Sequence, residues 1–213
     1  MPQLLLATSN AHKTQEVSAM LGPEWQVQDF HSHPGIALPE ETGSTFEANA
    51  IIKAQAGSQA CPGMLILADD SGLEVDILNK EPGVRSARYA GEDATDADNR
   101  KFLKDRLRRV STNPGQFFSA RFRCCLALVR DGEVLHVTHG TIEGHVSTIE
   151  RGRGGFGYDA MFTPQAYNQT FGELPAETKN QLSHRGHALE SMQKWLQSSP
   201  EALVVYAHSA LQG

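Results

Sequence analysis

The chain is poor in the features that mark several functional classes. Its 213 residues include 3 cysteines, Cys61, Cys124 and Cys125. An odd number, one adjacent pair and no CxxC spacing argue against a disulfide framework and a zinc site, and point to reduced thiols in a cytoplasmic protein. Long apolar runs are missing. The first apolar stretch, Leu4 to Ala7, falls far short of a bilayer span, and no Lys or Arg precedes it, so neither a membrane segment nor a signal peptide is expected. Basic charge is also scarce: 19 Lys+Arg against 25 Asp+Glu give a net charge of −6. That balance offers no broad basic face for nucleic acid, although a small phosphorylated ligand needs only a few local cations. GxxxxGK followed by Ser or Thr does not occur, which argues against a P-loop kinase or ATPase; GxSxG and HExxH are missing as well.

What is present reads as an ordinary soluble globular chain, 39% hydrophobic and 21% charged. Its length suits one mixed α/β domain, residues 1–198, with two lobes around a central cleft and a weakly patterned tail over 199–213. Leu4-Leu5-Leu6-Ala7 predicts a buried strand, and Asn10 is placed to cap a helix carrying Val17, Met20 and Leu21 at helical spacing. The intervening loop, Thr8 to Lys13, is then a natural anion site, because amides and macrodipole at a helix N-terminus both favour negative charge. Ser44-Thr45-Phe46-Glu47 predicts a capping box opening a helix that runs to about Ala60. Met64 to Ala68 predicts a strand ending in a turn, Asp69-Asp70-Ser71-Gly72, with a further strand through Leu73, Val75 and Ile77. A helix is expected over Thr95–Arg108, and a long strand over Ala120–Leu128. Asp131-Gly132 then signals a hairpin returning along Glu133–Thr141. A last helix starts near Ser183 and presents Leu189, Met192 and Leu196.

The most informative segment is Asp69-Asp70-Ser71-Gly72. Two carboxylates at the end of an apolar strand are costly unless a cation joins them, and carboxylate oxygens suit Mg²⁺. The competing reading is a solvated turn, since Asp, Ser and Gly are all turn formers. Glu40-Glu41 is a second acidic pair that gains interest only beside Asp70. Lys13, Lys53 and Lys179 are the candidate phosphate ligands, with Lys53 spaced to point inward from its helix. Gly152-Arg153-Gly154-Gly155-Phe156-Gly157 matches GxGxxG formally. Tyr158-Asp159 and an apolar Met161-Phe162 follow it, which reads as loop into strand and not as the strand–helix setting of a dinucleotide site. A glycine loop with one aromatic suits a lid or stacking platform for a flat base. His136 and His139, three apart on one strand, point to opposite faces and make no metal pair.

Together these residues closely resemble the inosine triphosphate pyrophosphatase family over about Leu4 to Leu196. The resemblance rests on Ala7-Thr8-Ser9-Asn10 with Lys13, Glu40-Glu41-Thr42-Gly43, Asn49 to Lys53, Ala68 to Gly72, Ser86-Ala87-Arg88-Tyr89, Gly155 to Asp159, and Lys179 with Ser183-His184-Arg185-Gly186. It implies a homodimer with an elongated sheet flanked by helices. It further implies an enzyme releasing pyrophosphate from purine nucleotides such as dITP, ITP or XTP. Asp70 would be the proton acceptor, supported by Asp69 and Lys53, and Glu40 with Asp70 would hold Mg²⁺. Substrate would meet Thr8, Ser9, Asn10, Ala11, His12, Lys13, Ser71, Phe156, Gly157, Tyr158, Asp159, Lys179, His184 and Arg185. Arg185 or backbone amides would supply donors toward a 6-keto oxygen, which an adenine amino group would oppose. Ser9, His12, Ala160 and Thr178 depart from the family's commoner residues. Two other readings stand beside this one: a pyrophosphatase for modified pyrimidines, and a nucleotide sensor without catalysis.

Overall fold

The computed structural model describes residues 2–33, 35–37, 39–113 and 115–199, so the expected tail lies outside the described residues apart from Ser199. Six strands form one sheet in the order β2-β1-β3-β4-β5-β6. They are β1 (Gln3–Leu6), β2 (Gln26–Asp29), β3 (Leu65–Val75), β4 (Phe118–Arg130), β5 (Glu133–Val146) and β6 (Phe162–Pro164). β1 lies parallel to β2 and β3, and the remaining pairs are antiparallel. Five helices flank it: α1 (Ala11–Leu21), α2 (Phe46–Ala60), α3 (Asp96–Val110), α4 (Ala176–Leu182) and α5 (His184–Ser198).

Strand alternation sorts the core onto two faces. Leu4, Leu6, Leu65, Leu67, Leu126 and Leu128 face α1 and α5, where they meet Val17, Leu21, Leu189 and Met192. Leu5, Ala7, Ile66, Ala68, Ala127 and Val129 face α2, whose Ala50 and Ala54 permit close packing. A second lobe has its own core, in which Leu103 and Leu107 of α3 meet Phe118, Phe122, Phe162 and Phe171. β3, β4 and β5 tie the lobes together, and the cleft between them is the expected one.

Several local expectations change. β3 is one continuous strand of 11 residues through Asp69-Asp70-Ser71-Gly72, not two strands and a turn. Ladder pairing with β4 runs from Ile66↔Val129 to Val75↔Ala120, and this outweighs local turn propensity. Gly72 serves close approach instead, since a Cβ there would lie 2.4 Å from Ser86 Oγ and 2.5 Å from Gly83 O. The strand stops at Val75, and Ile77 sits in a short 3₁₀ turn, 52% exposed. Asn10 caps α1 as expected, accepting from the amides of His12 and Lys13. The cap of α2 is Thr45, not Ser44, and its hydroxyl accepts from Ala48 N, so the Ser44–Glu47 box does not form. The full capping box belongs to α3, between Thr95 and Asp98. His136 stacks on Trp195 of α5 while His139 reaches Glu47 of α2, on opposite faces as the spacing requires. Short β2 and α4 carry too little periodicity to be read from sequence.

α5 crosses β5 almost in backbone contact. A Cβ on Gly140 would lie 1.9 Å from the carbonyl oxygen of His184 and 2.6 Å from Ala188 N. Gly140→Ala must therefore lift the N-terminal turn of α5 off the sheet. The expected loss of stability in urea denaturation is about 1–3 kcal/mol, the usual cost of overpacking. An unchanged midpoint would show that α5 does not rest there.

Candidate active site

β1 stops pairing with β3 at Leu6↔Leu67, while β3 runs on to Val75. Both aspartates thus lie just past the carboxyl end of β1, where Thr8–Asn10 turns into α1. Adjacent on one strand, they face opposite sides, and each meets a different set of cations.

Asp69 faces α1 and α5. Its carboxylate accepts from Lys13 Nζ at 2.5 Å, Arg185 Nε at 2.8 Å and Ser71 Oγ at 2.9 Å. The Cys124 thiol donates to it as well, at 3.3 Å. The Asp69 side chain has no exposed surface. Burial alone would raise its pKa, but the charges of Arg185 and Lys13 override burial and hold it well below the usual carboxylate range. Arg185 is equally enclosed. Nη2 donates to Asp69 at 3.3 Å and to Ser71 Oγ at 3.0 Å, and Nη1 donates to Glu16 at 2.5 Å. Arg185 therefore spends most of its donors on carboxylates and a hydroxyl, and has little left for a base. Glu16 passes the chain of charges on to Lys179 Nζ at 2.7 Å, which also meets Asp159 at 2.6 Å.

Asp70 faces α2. Lys53 Nζ, buried as its spacing predicts, donates to Asp70 Oδ1 at 2.7 Å, to Glu41 at 2.7 Å and to the Asp69 carbonyl at 2.8 Å. Glu41 also accepts from Arg88 at 2.6 Å. Asp70 Oδ2 accepts one long bond, 3.3 Å from Asn49 Nδ2. Burial pushes the Asp70 carboxyl up by more than Lys53 draws it down, and the Glu41 charge adds to the rise. Of the acidic pair, Glu41 turns into this cluster while Glu40 is exposed.

Ten expected residues line one pocket between the lobes: Asn10, Lys13, Ser71, Phe156, Gly157, Tyr158, Asp159, Lys179, His184 and Arg185. Thr8 is buried and accepts from Asn10 N, whereas Ser9 in the loop and Ala11 and His12 in the first turn of α1 are exposed. Phe156 stacks on His12 with 5.4 Å between ring centres, and Lys179 Nζ sits 4.9 Å from its centre. Phe122 forms an inner wall against His184, the rings 4.8 Å apart and nearly parallel. Burial, reinforced by the neighbouring Arg185 charge, drops the His184 pKa well below its usual value, so the imidazole is neutral at pH 7. Its Nδ1 is buried without a hydrogen-bond partner among the described residues. Glu16 is the member of the charge network that sequence reasoning missed, whereas Glu41 enters the sequence reading as half of the acidic pair of interest beside Asp70. Glu16 had one legible signal, its place one turn beyond Lys13 on the same helix face.

Oxygen donors are what this site could offer a metal. Among the described residues no three His, Cys, Asp or Glu side chains converge into a cage. Mg²⁺ does not ask for one, because it takes one or two carboxylates and fills its shell with water and phosphate oxygens. The free lone pairs on Asp70 Oδ2 fit that demand.

Cations gathered on an ionised anchor, a carboxyl with a raised pKa and an aromatic platform are the parts that hydrolysis of a phosphorylated ring compound uses. Fold and site together define a mixed α/β protein with a charge-lined interlobe pocket. Residues 4–195 match the sequence model of the Ham1 family, and the chain belongs to that family. A dITP/XTP pyrophosphatase from Halalkalibacterium halodurans is 43% identical over 197 residues, spanning 92% of this chain and 100% of that protein. One from Desulforamulus reducens is 45% identical over 189 residues, spanning 88% of this chain and 92% of that protein. A solved HAM1 protein from Coxiella burnetii matches with a TM-score of 0.80 at 38% identity, covering 93% of this chain and 100% of that one.

Removing the anchor tests the charge network. Asp69→Asn leaves Arg185 and Lys13 without their shared counter-ion, and the expected cost is about 3–5 kcal/mol, typical of breaking a buried pair from one side. Because folding lowers the Asp69 pKa, its contribution is complete above the ordinary carboxylate value and fades as pH falls. The stability difference between wild type and variant in denaturant titrations should hold from pH 8 to 5 and shrink below about pH 4. A difference that grew on acidification would contradict the assignment.

Proposed function

We propose that the chain is a nucleoside triphosphate pyrophosphohydrolase that cleaves purine nucleotides with non-standard bases, dITP, ITP and XTP, to the monophosphate and pyrophosphate. The observation that carries this reading is the division of labour on β3, where Asp69 is held ionised as an anchor for cations while Asp70 is kept basic. The names of the relatives, dITP/XTP pyrophosphatases, support the substrate class.

In this reading the triphosphate lies along the loop Thr8–Lys13, on the amides of the α1 N-terminus and the Lys13 ammonium. Asp70 and Glu40 hold Mg²⁺, with Glu41 the alternative second carboxylate because it already borders Asp70 through Lys53. Bound Mg²⁺ supplies charge neutralisation at the phosphate oxygens. Asp70 Oδ2 takes the proton of a water whose oxygen forms a bond to the α-phosphorus, the bond from that phosphorus to the bridging oxygen breaks, and pyrophosphate departs. Lys53 keeps Asp70 oriented through Oδ1. Before a metal binds, burial raises the proton affinity of Asp70 above that of an ordinary carboxylate, which suits a proton acceptor. Phe156 and Phe122 bound the base, with the neutral His184 and backbone amides as its polar readers.

A homodimer and a cytoplasmic setting belong to the same proposal. The first is supported by the family resemblance, the second by three free thiols. No described helix is long and apolar enough to cross a membrane.

The test is product analysis with purified protein, Mg²⁺, and ITP, XTP, GTP and ATP in parallel. Monophosphate plus pyrophosphate from ITP and XTP, with GTP and ATP nearly untouched, is expected. Diphosphate plus phosphate would break the mechanism, and no purine turnover would favour the pyrimidine or sensor reading. Asp70→Asn should lower kcat at least 100-fold, the lower end of a general-base contribution, while the far-UV spectrum stays native.

A further inference from the structure

The glycine loop is held by α3, which reaches the pocket through Asp96 but not through Arg100. Besides the Lys179–Asp159 ion pair, three side-chain attachments fix Gly155–Asp159. Asp159 Oδ2 accepts from Phe156 N at 2.9 Å, and Tyr158 Oη donates to the Ser86 carbonyl at 2.8 Å. The third comes from the first two turns of α3. Gly157 N donates to Asp96 Oδ2 at 2.7 Å, and Arg100 Nη1 donates to the Gly157 carbonyl at 2.8 Å. One residue is thus gripped at both its amide and its carbonyl by side chains four apart on a single helix face.

We propose that Asp96 and Arg100 are positioning residues, a two-point clamp on Gly157 that sets the height of Phe156 above the pocket and with it the affinity for the purine. The inference rests on the proposed function for its ligand, but not for its geometry. Both bonds are charge-assisted, so each is stronger than a neutral one. α3 is itself anchored. Asn99 is buried, donating to the Ala87 carbonyl at 2.9 Å and accepting from Ala90 N at 2.8 Å, so the clamp hangs from the same helix that braces the Ser86–Ala87 part of the pocket lining. Arg100 Nε also donates to Glu150 at 3.1 Å, and Lys104 meets the other oxygen of that carboxylate at 2.6 Å. Lys104 therefore belongs to the same surface network without touching Gly157, which makes it the natural control.

The experiment compares wild type with Asp96→Ala, Asp96→Asn, Arg100→Ala and Lys104→Ala, reading steady-state kinetics with ITP and hydrogen–deuterium exchange of the peptide covering residues 152–159. Asp96→Ala and Arg100→Ala should each raise KM for ITP about tenfold, the size of one charge-assisted hydrogen bond, with kcat within about twofold. Both should speed exchange in the loop. Asp96→Asn keeps an acceptor oxygen and should recover most of the KM, and Lys104→Ala should match wild type. Equal loop exchange in all variants would overturn the clamp, as would a KM change in Lys104→Ala as large as that in Asp96→Ala. An Asp96→Asn variant as impaired as Asp96→Ala would overturn it too, by reducing Asp96 to a helix-terminal charge. If wild type turned over no ITP while Asp96→Ala still loosened the loop, the proposed function would fail and the clamp would stand.

Discussion

A carboxylate with no exposed surface cannot stand in a protein core without compensation, and Asp69 is such a group. Most of its compensation is imported from distant parts of the chain, Lys13 from α1, Arg185 from α5 and Cys124 from β4, with Ser71 added from its own strand. Each import brings a pocket wall with it. Lys13 carries the Thr8–Asn10 loop, and Arg185 carries His184, which packs on Phe122. Glu16 then links Arg185 to Lys179, and Lys179 reaches Asp159 beneath the glycine loop. An alternating series of charges thus runs from β3 to the glycine loop, and satisfying one buried anion assembles the pocket on that side.

On the other side of the strand the balance of terms tips the opposite way. Asp70 has one buried ammonium where Asp69 has two cations, and it shares that ammonium with Glu41. Desolvation therefore wins at Asp70 and loses at Asp69. Two neighbouring residues of the same type are pushed apart in proton affinity by their surroundings alone, and this separation distinguishes an anchor from a base.

Most of the long elements were legible because their signals are local and periodic. The apolar run Leu4–Ala7, the alternation of Ala120–Leu128, the Asp131-Gly132 turn and the Asn10 cap all act within a few residues of one another. The Asp69–Gly72 segment was misread for the converse reason. Its turn propensity is local, while the pairing with β4 that overrides it comes from residues some fifty positions away. The pocket residues were legible as a set through the family resemblance, and the structure brings ten of them together. Glu16 escaped because a single Glu on an exposed-looking helix carries no mark of burial, and Glu41 was legible only as half of an acidic pair. Only the assembled cations show why each is needed.

The opposed orientation of Asp69 and Asp70 places the chemistry under the control of strand register. Side chains on a strand alternate with a period of two, so a slip of β3 by one residue against β4 would exchange the two carboxylates. The proposed base would then be saturated with cations and the anchor would be starved of them, although composition and fold stayed the same. The ten-residue ladder from Ile66 to Val75 is long enough to make that slip prohibitive. A single-residue insertion or deletion between Leu65 and Asp69 is therefore a more damaging change than many substitutions in the pocket itself.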